Sequence, residues 1–428
     1  MKKLAFVAYY HKDNFYSLNA IIGALETDYI FKNLDFFFIR TEVEFAENLE
    51  KISENYDKIV IAISFFTTQI FKTCDLVKKL KQRYNNKFII IAGGSHPTGD
   101  PAGTLKLGFD IVVVGEGEET IIQLMRAILN NENLNKVKGI AYLNEDEFFI
   151  YTGKRQLIKL DDYPPFPVKN TRFGAIEITR GCPYLCYFCQ TPQILGTKPR
   201  HRSVESICRY VRVLYNYYGD LTDIRFITPN AFSYGSLDGK NLNLKKLEKL
   251  LVNIRQIIGK NGRIFIGTFP SEVRPEHVNE ETLDLVLKYA NNDNITIGAQ
   301  SGSQKILDIC HREHSIANIY EAVELSLAKG LKVNVDFIFG LPGEEDEDIN
   351  LSIQMMKNLT KKGARIHTHS FIPLPHTPFA KKEVKEVKEI YKKEIKKLIS
   401  LGSAFGDWKK QERFAFKFQR FMKKINED

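Results

Sequence analysis

The chain has 428 residues, too many for one typical domain, and it is 43% hydrophobic and 26% charged. This balance is that of a globular protein and excludes a disordered chain, a collagen-like fibre and a simple coiled coil. No uncharged apolar run approaches the roughly 18 residues that cross a bilayer, so we predict no membrane span. The apolar stretch after Met1 is short and ends at His11, which favours a first strand over a signal peptide and predicts a cytoplasmic protein.

The positive charge is concentrated at one end. The net charge is +9, and residues 380–428 alone hold 15 basic and 8 acidic side chains. The remaining 379 residues are therefore almost neutral, at +2. Such a basic extension either contacts an acidic partner, with nucleic acid not excluded, or is a solvated helix face.

Residues 1–140 alternate short apolar runs with helical patterns, which predicts a doubly wound, Rossmann-like parallel sheet. Helices are predicted at Asn14–Leu25, 67–83 and 119–129. The predicted strands are Leu4–Ala8, Phe36–Ile39, Ile59–Ser64, Phe88–Ala92 and Ile111–Val114. A ligand is expected at the carboxyl ends of these strands, where the loops gather.

Residues 141–171, with three prolines between Pro164 and Pro167, are predicted to be a linker. Six further strand-and-helix units then fill residues 172–378, too few for an eight-unit barrel and suited to a partial one. Residues 379–428 are predicted to be a helical extension, with a helix from Lys381 to Leu398. The six predicted barrel strands are Ala175–Thr179, Ile224–Thr228, Arg263–Gly267, Ile295–Ala299, Val333–Ile338 and Ile366–Phe371.

Three cysteines, Cys182, Cys186 and Cys189, lie directly after the first barrel strand with the spacing CxxxCxxC. Three thiolates on one short loop can hold three irons of a [4Fe–4S] cube and leave the fourth iron without a protein ligand. The alternative is a zinc site completed by a distant histidine, but no second C-x-x-C pair or H-x₃-H partner stands nearby.

With its aromatic residue just before the last cysteine, this motif resembles the radical S-adenosylmethionine (SAM) superfamily over residues 172–378. The resemblance implies that the three cysteines bind the cluster and that the amino and carboxylate groups of SAM chelate the free iron. The Gln300-Ser301 and Gly340–Gly343 segments resemble the family's fourth and fifth strand exits, whereas Thr228–Phe232 departs from its usual Gly-Gly-Glu turn. The residues expected at the SAM site are Phe188, Thr228, Asn230, Gln300, Ser301, Arg312, Asp336 and Gly340.

A doubly wound domain followed by such a barrel is similar to radical SAM proteins with a cobalamin-binding domain. The loop Tyr9–Asn14 aligns with that group's D-x-H-x-x-G loop and keeps the histidine but lacks the aspartate and the glycine. His11 is therefore either a lower axial cobalt ligand or an ordinary loop residue. The residues that the resemblance places near cobalamin are His11, Ser64, Phe66, Gly93, Gly94, Gly115 and Glu116.

Methylthiotransferases of the superfamily carry three more cluster cysteines in the first domain and an RNA-binding β-domain at the end. Residues 1–170 contain Cys74 alone, and the end of the chain reads as helical, so this function is not expected.

The leading hypothesis is a radical SAM methyltransferase that uses a [4Fe–4S] cluster, SAM and cobalamin to methylate an unactivated carbon. It implies an external one-electron reductant such as ferredoxin or flavodoxin. The first alternative is a radical SAM enzyme whose first domain binds substrate or a partner instead of cobalamin. The second is a non-catalytic cluster or corrinoid carrier. The substrate cannot be inferred from the sequence.

Overall fold

The computed structural model describes residues 3–84 and 87–427, and its internal contacts divide the chain after Gly174. The first unit comprises the residues up to Gly174, and the second runs from Ala175 to Lys424. In the described part of the chain, no helix combines the length and apolar character needed to cross a membrane.

The first unit is built from short, buried, β-branched strands that alternate with helices, as the sequence pattern predicts. All five predicted strands and all three predicted helices are present within a few residues of their expected bounds. The elements are β1 Leu4–Tyr9, α1 Phe15–Thr27, β2 Asp35–Ile39, α2 Glu42–Asn55, β3 Lys58–Ser64, α3 Ile70–Tyr84, β4 Ile89–Gly93, α4 Ser95–Gly99, α5 Pro101–Lys106, β5 Ile111–Val113, α6 Glu118–Asn130, β6 Ile140–Leu143 and β7 Phe149–Tyr151.

These strands form one seven-stranded sheet in the order β2-β1-β3-β4-β5-β6-β7, in which β1 to β5 are parallel. The order reverses between β1 and β3, which opens a crevice at their carboxyl ends. The predicted linker at 141–171 is wrong in its first part, because β6 and β7 add to the sheet as antiparallel edge strands. Residues of β7 are largely exposed, so the apolar pattern that marks a buried strand is weak there.

The second unit repeats the alternation of strands and helices. All six predicted barrel strands form, although several are shorter or longer than expected. The elements are β8 Ile176–Glu177, β9 Thr179–Arg180, α7 Thr191–Leu195, β10 Arg200–His201, α8 Val204–Tyr218, β11 Asp223–Ile227, α9 Leu244–Ile258, β12 Arg263–Phe265, α10 Glu280–Tyr289, β13 Asn294–Gln300, α11 Gln304–Ile309, α12 Ile316–Ala328, β14 Lys332–Phe339, α13 Asp346–Lys361, β15 Arg365–Ser370, α14 Glu389–Ser400, β16 Ala404–Phe405 and α15 Trp408–Glu427.

Parallel pairing connects most of these strands in chain order, which is the pattern of a partial barrel, while β9 and β10 pair antiparallel as a separate ribbon. One sheet has the order β12-β11-β8, and the other has the order β13-β14-β15-β16. A bridge between Val273 and Ile297 connects the β12 side to β13. The curved sheet therefore gathers the carboxyl ends of its strands, and the loops that follow them, at one end.

The helix predicted from Lys381 begins only at Glu389. Val384 and Val387, read from the sequence as part of a helical stripe, are buried in an extended segment. Their backbone N–H groups donate to the side chains of Gln419 and Glu412 at 3.3 and 2.7 Å, so the segment needs no helical hydrogen bonds. The Phe-rich end of the chain is the long helix α15.

Candidate functional site

The cysteine loop follows β9 and is held in a tight turn by its own backbone. Gly181 has a φ of +91°, and a Cβ there would lie 2.4 Å from the carbonyl oxygen of Lys198, so only glycine fits. The N–H of Cys182 donates to the carbonyl of Gly196, and the N–H of Cys189 donates to that of Cys186, both at 3.0 Å. These bonds hold all three cysteines on one compact segment.

Two guanidinium groups lie against the central sulfur of this loop. Nη1 of Arg312 is 3.4 Å and Nη1 of Arg274 is 3.9 Å from Sγ of Cys186, and both arginines are buried. Nη2 of Arg312 donates to the carbonyl of Gly298 at 2.8 Å, which fixes the guanidinium in place. Buried positive charge beside the sulfur can offset the negative charge of a thiolate-bound cluster, so the site suits such a group.

Among the described residues, the three cysteine sulfurs do not all lie within 4.8 Å of one another. A zinc ion, bound at about 2.3 Å, would draw its thiolates to about 3.8 Å of one another. A group of three ligand atoms that does gather within 4.8 Å is elsewhere, at Asp336, His367 and His369. Burial raises the pKa of Cys182 to about 11 and raises the pKa of Cys189, so metal binding there releases protons.

At the exit of β13, the predicted SAM residues Gln300 and Arg312 lie on either side of Gly298, and Arg312 reaches the cysteine loop. A bulge between Gly298 and Gln300 breaks the register of the strand, and Gln300 has a φ of +76°. A Cβ on Gly298 would lie 2.8 Å from Nε2 of Gln300 and 3.4 Å from Nη2 of Arg312, so the glycine makes room for both side chains. The guanidinium of Arg312 also lies 5.9 Å from the centre of the Phe188 ring.

Thr228 and Asn230 lie in the segment that stands in place of the Gly-Gly-Glu turn, and both make hydrogen bonds within the protein. The amide of Asn230 bonds to His277 and accepts the N–H of Arg274 at 3.3 Å. The hydroxyl of Thr228 donates to the carbonyl of Asn230 at 3.1 Å. Their contact with SAM stays a prediction.

Ser301 and Gly340 are also held by hydrogen bonds within the protein. The hydroxyl of Ser301 accepts the N–H of Ser303 at 3.2 Å, beneath the strand exit. Gly340 has a φ of +74°, and its N–H donates to the carboxyl of Glu344 at 3.0 Å. Burial raises the pKa of Glu344 to about 7. Ser301 and Gly340 therefore stay predicted SAM residues.

In the first unit, the predicted residues follow the carboxyl ends of four neighbouring strands, β1, β3, β4 and β5. Asn14, which the sequence did not single out, connects the first two. Its side-chain N–H group donates to the carbonyls of Tyr9 at 3.1 Å and of Ser64 at 2.8 Å. It stands at the glycine position of the aligned loop and closes part of the crevice between β1 and β3.

Two glycines leave open space at this edge. A Cβ added to Gly93 or to Gly115 would meet no atom within 4 Å, whereas one added to Gly94 would lie 2.8 Å from Oγ of Ser64. Phe66 is 47% exposed beside them, and the carboxylate of Glu116 accepts the N–H of Ile158 at 2.9 Å. The edge therefore offers backbone and an exposed ring to a large flat ligand. His96, which follows β4, is fully buried, and burial lowers its pKa to about 4.

His11 has a carboxylate partner that the sequence alignment missed. Tyr9 replaces the aspartate of the aligned loop, but Oδ2 of Asp13 lies 3.3 Å from Nδ1 of His11. A carboxylate at that nitrogen directs the other ring nitrogen toward a metal, which is the usual support for a ligating histidine.

Comparison with known proteins follows the same division. The radical SAM superfamily model matches residues 176–356, and the B12 binding domain model matches residues 17–125. The chain is a radical SAM protein with an N-terminal B12-binding domain. The radical SAM domain implies a [4Fe–4S] cluster and SAM, and the B12-binding domain supports cobalamin as a third cofactor.

Relatives of this radical SAM protein carry two kinds of name. The uncharacterized methyltransferase PH0819 of Pyrococcus horikoshii is 26% identical over 325 residues, which are 73% of this chain and 67% of that protein. The putative methylthiotransferase MJ0865 of Methanocaldococcus jannaschii is 28% identical over 308 residues, 68% of this chain and 63% of that one.

The fold of this radical SAM protein is also that of a solved enzyme. The radical SAM methyltransferase TsrM of Kitasatospora setae, solved with cobalamin and a [4Fe–4S] cluster, superposes with a TM-score of 0.68. The match covers 89% of this chain and 74% of TsrM at 15% identity, so it shows the fold alone.

Sequence analysis missed several charged residues of this radical SAM site. Arg274 pairs with Glu276, its guanidinium lies 3.4 Å from the centre of the Tyr184 ring, and His314 is buried behind them. Burial and the two neighbouring guanidiniums lower the pKa of His314 to about 2, so it is neutral. Their positions depend on how the loops after β12 and after α11 fold, and no spacing in the sequence signals that.

Asp336 was predicted to lie at the SAM site, and the structure places it beside two histidines of β15. Nδ1 of His367 is 2.9 Å from Oδ1 of Asp336, and His369 lies two residues further along the strand. The sequence could have indicated that His367 and His369 lie together, because residues i and i+2 of a strand share one face.

Proposed function

We propose that this radical SAM enzyme is a cobalamin-dependent methyltransferase. The observation that carries the proposal is the open carboxyl edge of the first unit, where Gly93 and Gly115 leave space, in the same chain as the radical SAM cysteine loop. A domain that only docked a partner would have no need for a backbone cradle at its strand ends.

In the second unit, Cys182, Cys186 and Cys189 would hold the cluster, and Arg312 would stabilise its negative charge. The half-buried Gln300 and the ring of Phe188 would border SAM at the exit of β13. When bound, the cluster supplies the electron that cleaves SAM, and the corrinoid carries the methyl group. The wall of the partial barrel would exclude water and competing hydrogen donors from the substrate.

In the first unit, His11 would ligate cobalt with Asp13 as its orienting carboxylate. The pair is partly exposed, with side chains 32% and 51% accessible, so a ligand that approaches the strand ends can reach the ring. Asp13 would thus replace the aspartate whose place Tyr9 takes, through a different position on the same loop.

The first experiment measures SAM cleavage and cobalamin binding together. Anaerobically reconstituted protein, given SAM and a chemical reductant, should form 5′-deoxyadenosine and should bind one equivalent of hydroxocobalamin. Cys186→Ala should form none, whereas Cys208→Ala, which changes a buried cysteine on α8, should behave as wild type. Cleavage without cobalamin binding would reject the methyltransferase proposal, and no cleavage by wild type would reject both parts.

A second experiment tests the His11–Asp13 pair. The EPR spectrum of protein-bound cob(II)alamin should show the nitrogen splitting of a ligating imidazole in wild type. His11→Ala should remove that splitting, and Asp13→Asn should weaken it, while Asp146→Asn on an exposed turn should leave it unchanged. A spectrum without the splitting in wild type would show that His11 does not ligate.

The methylthio names among the relatives suggest one competing reaction. That reaction in the superfamily relies on a second cysteine triplet in the first domain, and residues 1–170 contain Cys74 alone, which is buried on α3. We therefore favour transfer of a methyl group.

A further inference from the structure

Three metal-binding side chains meet on the inner face of the partial barrel, apart from the cysteine loop. Asp336 on β14 pairs in register with His367 on β15, and His369 is the next residue on the same face. The alternate residues Ile366, Thr368 and Ser370 are buried on the opposite face of β15. Strand alternation alone therefore turns both imidazoles toward the carboxylate.

The three ligand atoms have the spacing of a metal site. Nδ1 of His367 is 2.9 Å from Oδ1 of Asp336 and 3.2 Å from Nε2 of His369, and the third side of the triangle is 3.9 Å. Ligand atoms bound at about 2.0 Å to a tetrahedral zinc ion lie about 3.3 Å from one another. The three separations here average 3.3 Å, so a small adjustment of the side chains brings all three atoms to one ion.

We propose that Asp336, His367 and His369 bind a divalent transition-metal ion such as Zn²⁺ or Fe²⁺. Two imidazoles and one carboxylate are a set that such ions accept, and three protein ligands leave at least one position open. The imidazoles are about 30% accessible, whereas Asp336 is only 5% accessible, so the open position faces the accessible side. It would take an oxygen or nitrogen atom of a ligand bound there.

Hydrogen bonding around the histidines agrees with this role after one local change. Phe405 stacks on His367 with ring centres 4.6 Å apart, which restrains the ring. Gln411 accepts the N–H of Ser370 at 2.8 Å, and its amide nitrogen lies 3.3 Å from Nδ1 of His369. Metal binding through Nε2 places the His369 proton on Nδ1, so the Gln411 oxygen must then accept that proton as well as the N–H of Ser370.

The need for an acceptor at Nδ1 of His369 suggests a variant that should bind the metal ion more tightly. Gln411→Glu offers one carboxylate oxygen to the N–H of Ser370 and the other to Nδ1–H of His369. Carboxylate support of a ligating histidine changes metal affinity by about 10-fold or more. The variant should therefore bind the ion about 10-fold more tightly than wild type.

The test measures metal uptake directly and needs no activity. The anaerobically reconstituted full chain is stripped of loosely bound metal, dialysed against Zn²⁺ and analysed for zinc and iron in the same sample. We expect one zinc per chain beyond the iron of the cluster. His369→Ala and His367→Ala should lose it and keep the iron, which also shows that they fold. His376→Asn, on an exposed loop, should bind zinc as wild type does.

A second arm excludes zinc held by cysteine. The full chain with Cys182, Cys186 and Cys189 all changed to alanine should still bind one zinc, and adding His369→Ala should abolish it. Wild type that takes up no zinc in either arm, or His369→Ala that takes up zinc unchanged, would overturn the proposal. Weaker binding by Gln411→Glu would also contradict it. None of these outcomes depends on SAM cleavage or cobalamin, so the proposed function stands or falls separately.

Discussion

The two units build their candidate sites in different ways. The second unit places charged side chains, Arg312 and Arg274, against the sulfur of Cys186 and buries them there. The first unit uses backbone and the absence of side chains, at Gly93 and Gly115. A site built from charged side chains loses function when one of them is removed. A site built from exposed backbone loses function when a side chain is added that fills the space. Substitutions should therefore affect the two units in opposite ways.

The largest effect is expected at Arg312. Arg312→Met keeps the length of the side chain and removes the buried positive charge beside Cys186. Loss of one partner from a buried charged contact costs about 3–5 kcal/mol of stability. Because that contact lies at the cluster loop, we expect the rate of SAM cleavage to fall by on the order of 100-fold. The measurement is the rate of 5′-deoxyadenosine formation per bound cluster.

A control variant shows whether the effect depends on the position of the lost positive charge or only on the loss of an arginine. Arg225→Met removes a guanidinium that lies over the Phe265 ring, 4.1 Å from its centre, on β11. We expect its cleavage rate to stay within about 2-fold of wild type. Equal losses in the two variants would show that the charge of Arg312 has no special role.

The next effect is a pH dependence in the first unit. Burial lowers the pKa of His96 to about 4 in the folded chain, below its ordinary value of 6.5. The unfolded chain therefore binds a proton that the folded chain does not, and stability falls as the pH drops from about 6.5 to 4. The contribution that is lost amounts to at most about 3 kcal/mol.

Urea unfolding of wild type and His96→Gln across that pH range checks this prediction. The variant lacks the titrating imidazole, so its unfolding free energy should fall less steeply than that of wild type. Parallel curves for the two proteins would mean that His96 is not buried in its neutral form.

The smallest effects are expected at the adjacent glycines Gly93 and Gly94. One substitution should lower stability, and the other should weaken cobalamin binding. Gly94 has a φ of +96° and crowds Ser64 and Phe65, so Gly94→Ala should destabilise the protein by about 1–2 kcal/mol. Gly93→Leu should leave stability nearly unchanged, because its Cβ meets no neighbour, but should weaken cobalamin binding at least about 10-fold. Urea unfolding and a cobalamin titration measure both effects. Tight cobalamin binding by Gly93→Leu would exclude this edge as the site.

The sequence predicted the strands of both units because each is a short buried apolar run that alternates with helices. It failed at β6 and β7, which are partly exposed edge strands, and at 381–388, where Gln419 and Glu412 replace helical hydrogen bonds. The cysteine loop was predictable because its ligands are close in the chain.

Arg274 and Asp13 were not predictable as site residues. Arg274 reaches Cys186 across 88 residues of chain, a contact that only the folded barrel creates. Asp13 is near His11 in the sequence, but its carboxylate reaches the ring through the turn of the loop rather than through the aligned position. Contacts made by folding carry no spacing that a motif can record.

We propose that this chain transfers the methyl group of SAM to cobalamin. One labelling experiment tests that transfer without a known substrate. The reconstituted protein with bound cobalamin, a reductant and SAM deuterated at its methyl group is quenched, and the released corrinoid is analysed by mass spectrometry. We expect the corrinoid to carry the deuterated methyl group. A corrinoid that stays unlabelled while SAM is cleaved to 5′-deoxyadenosine would contradict it.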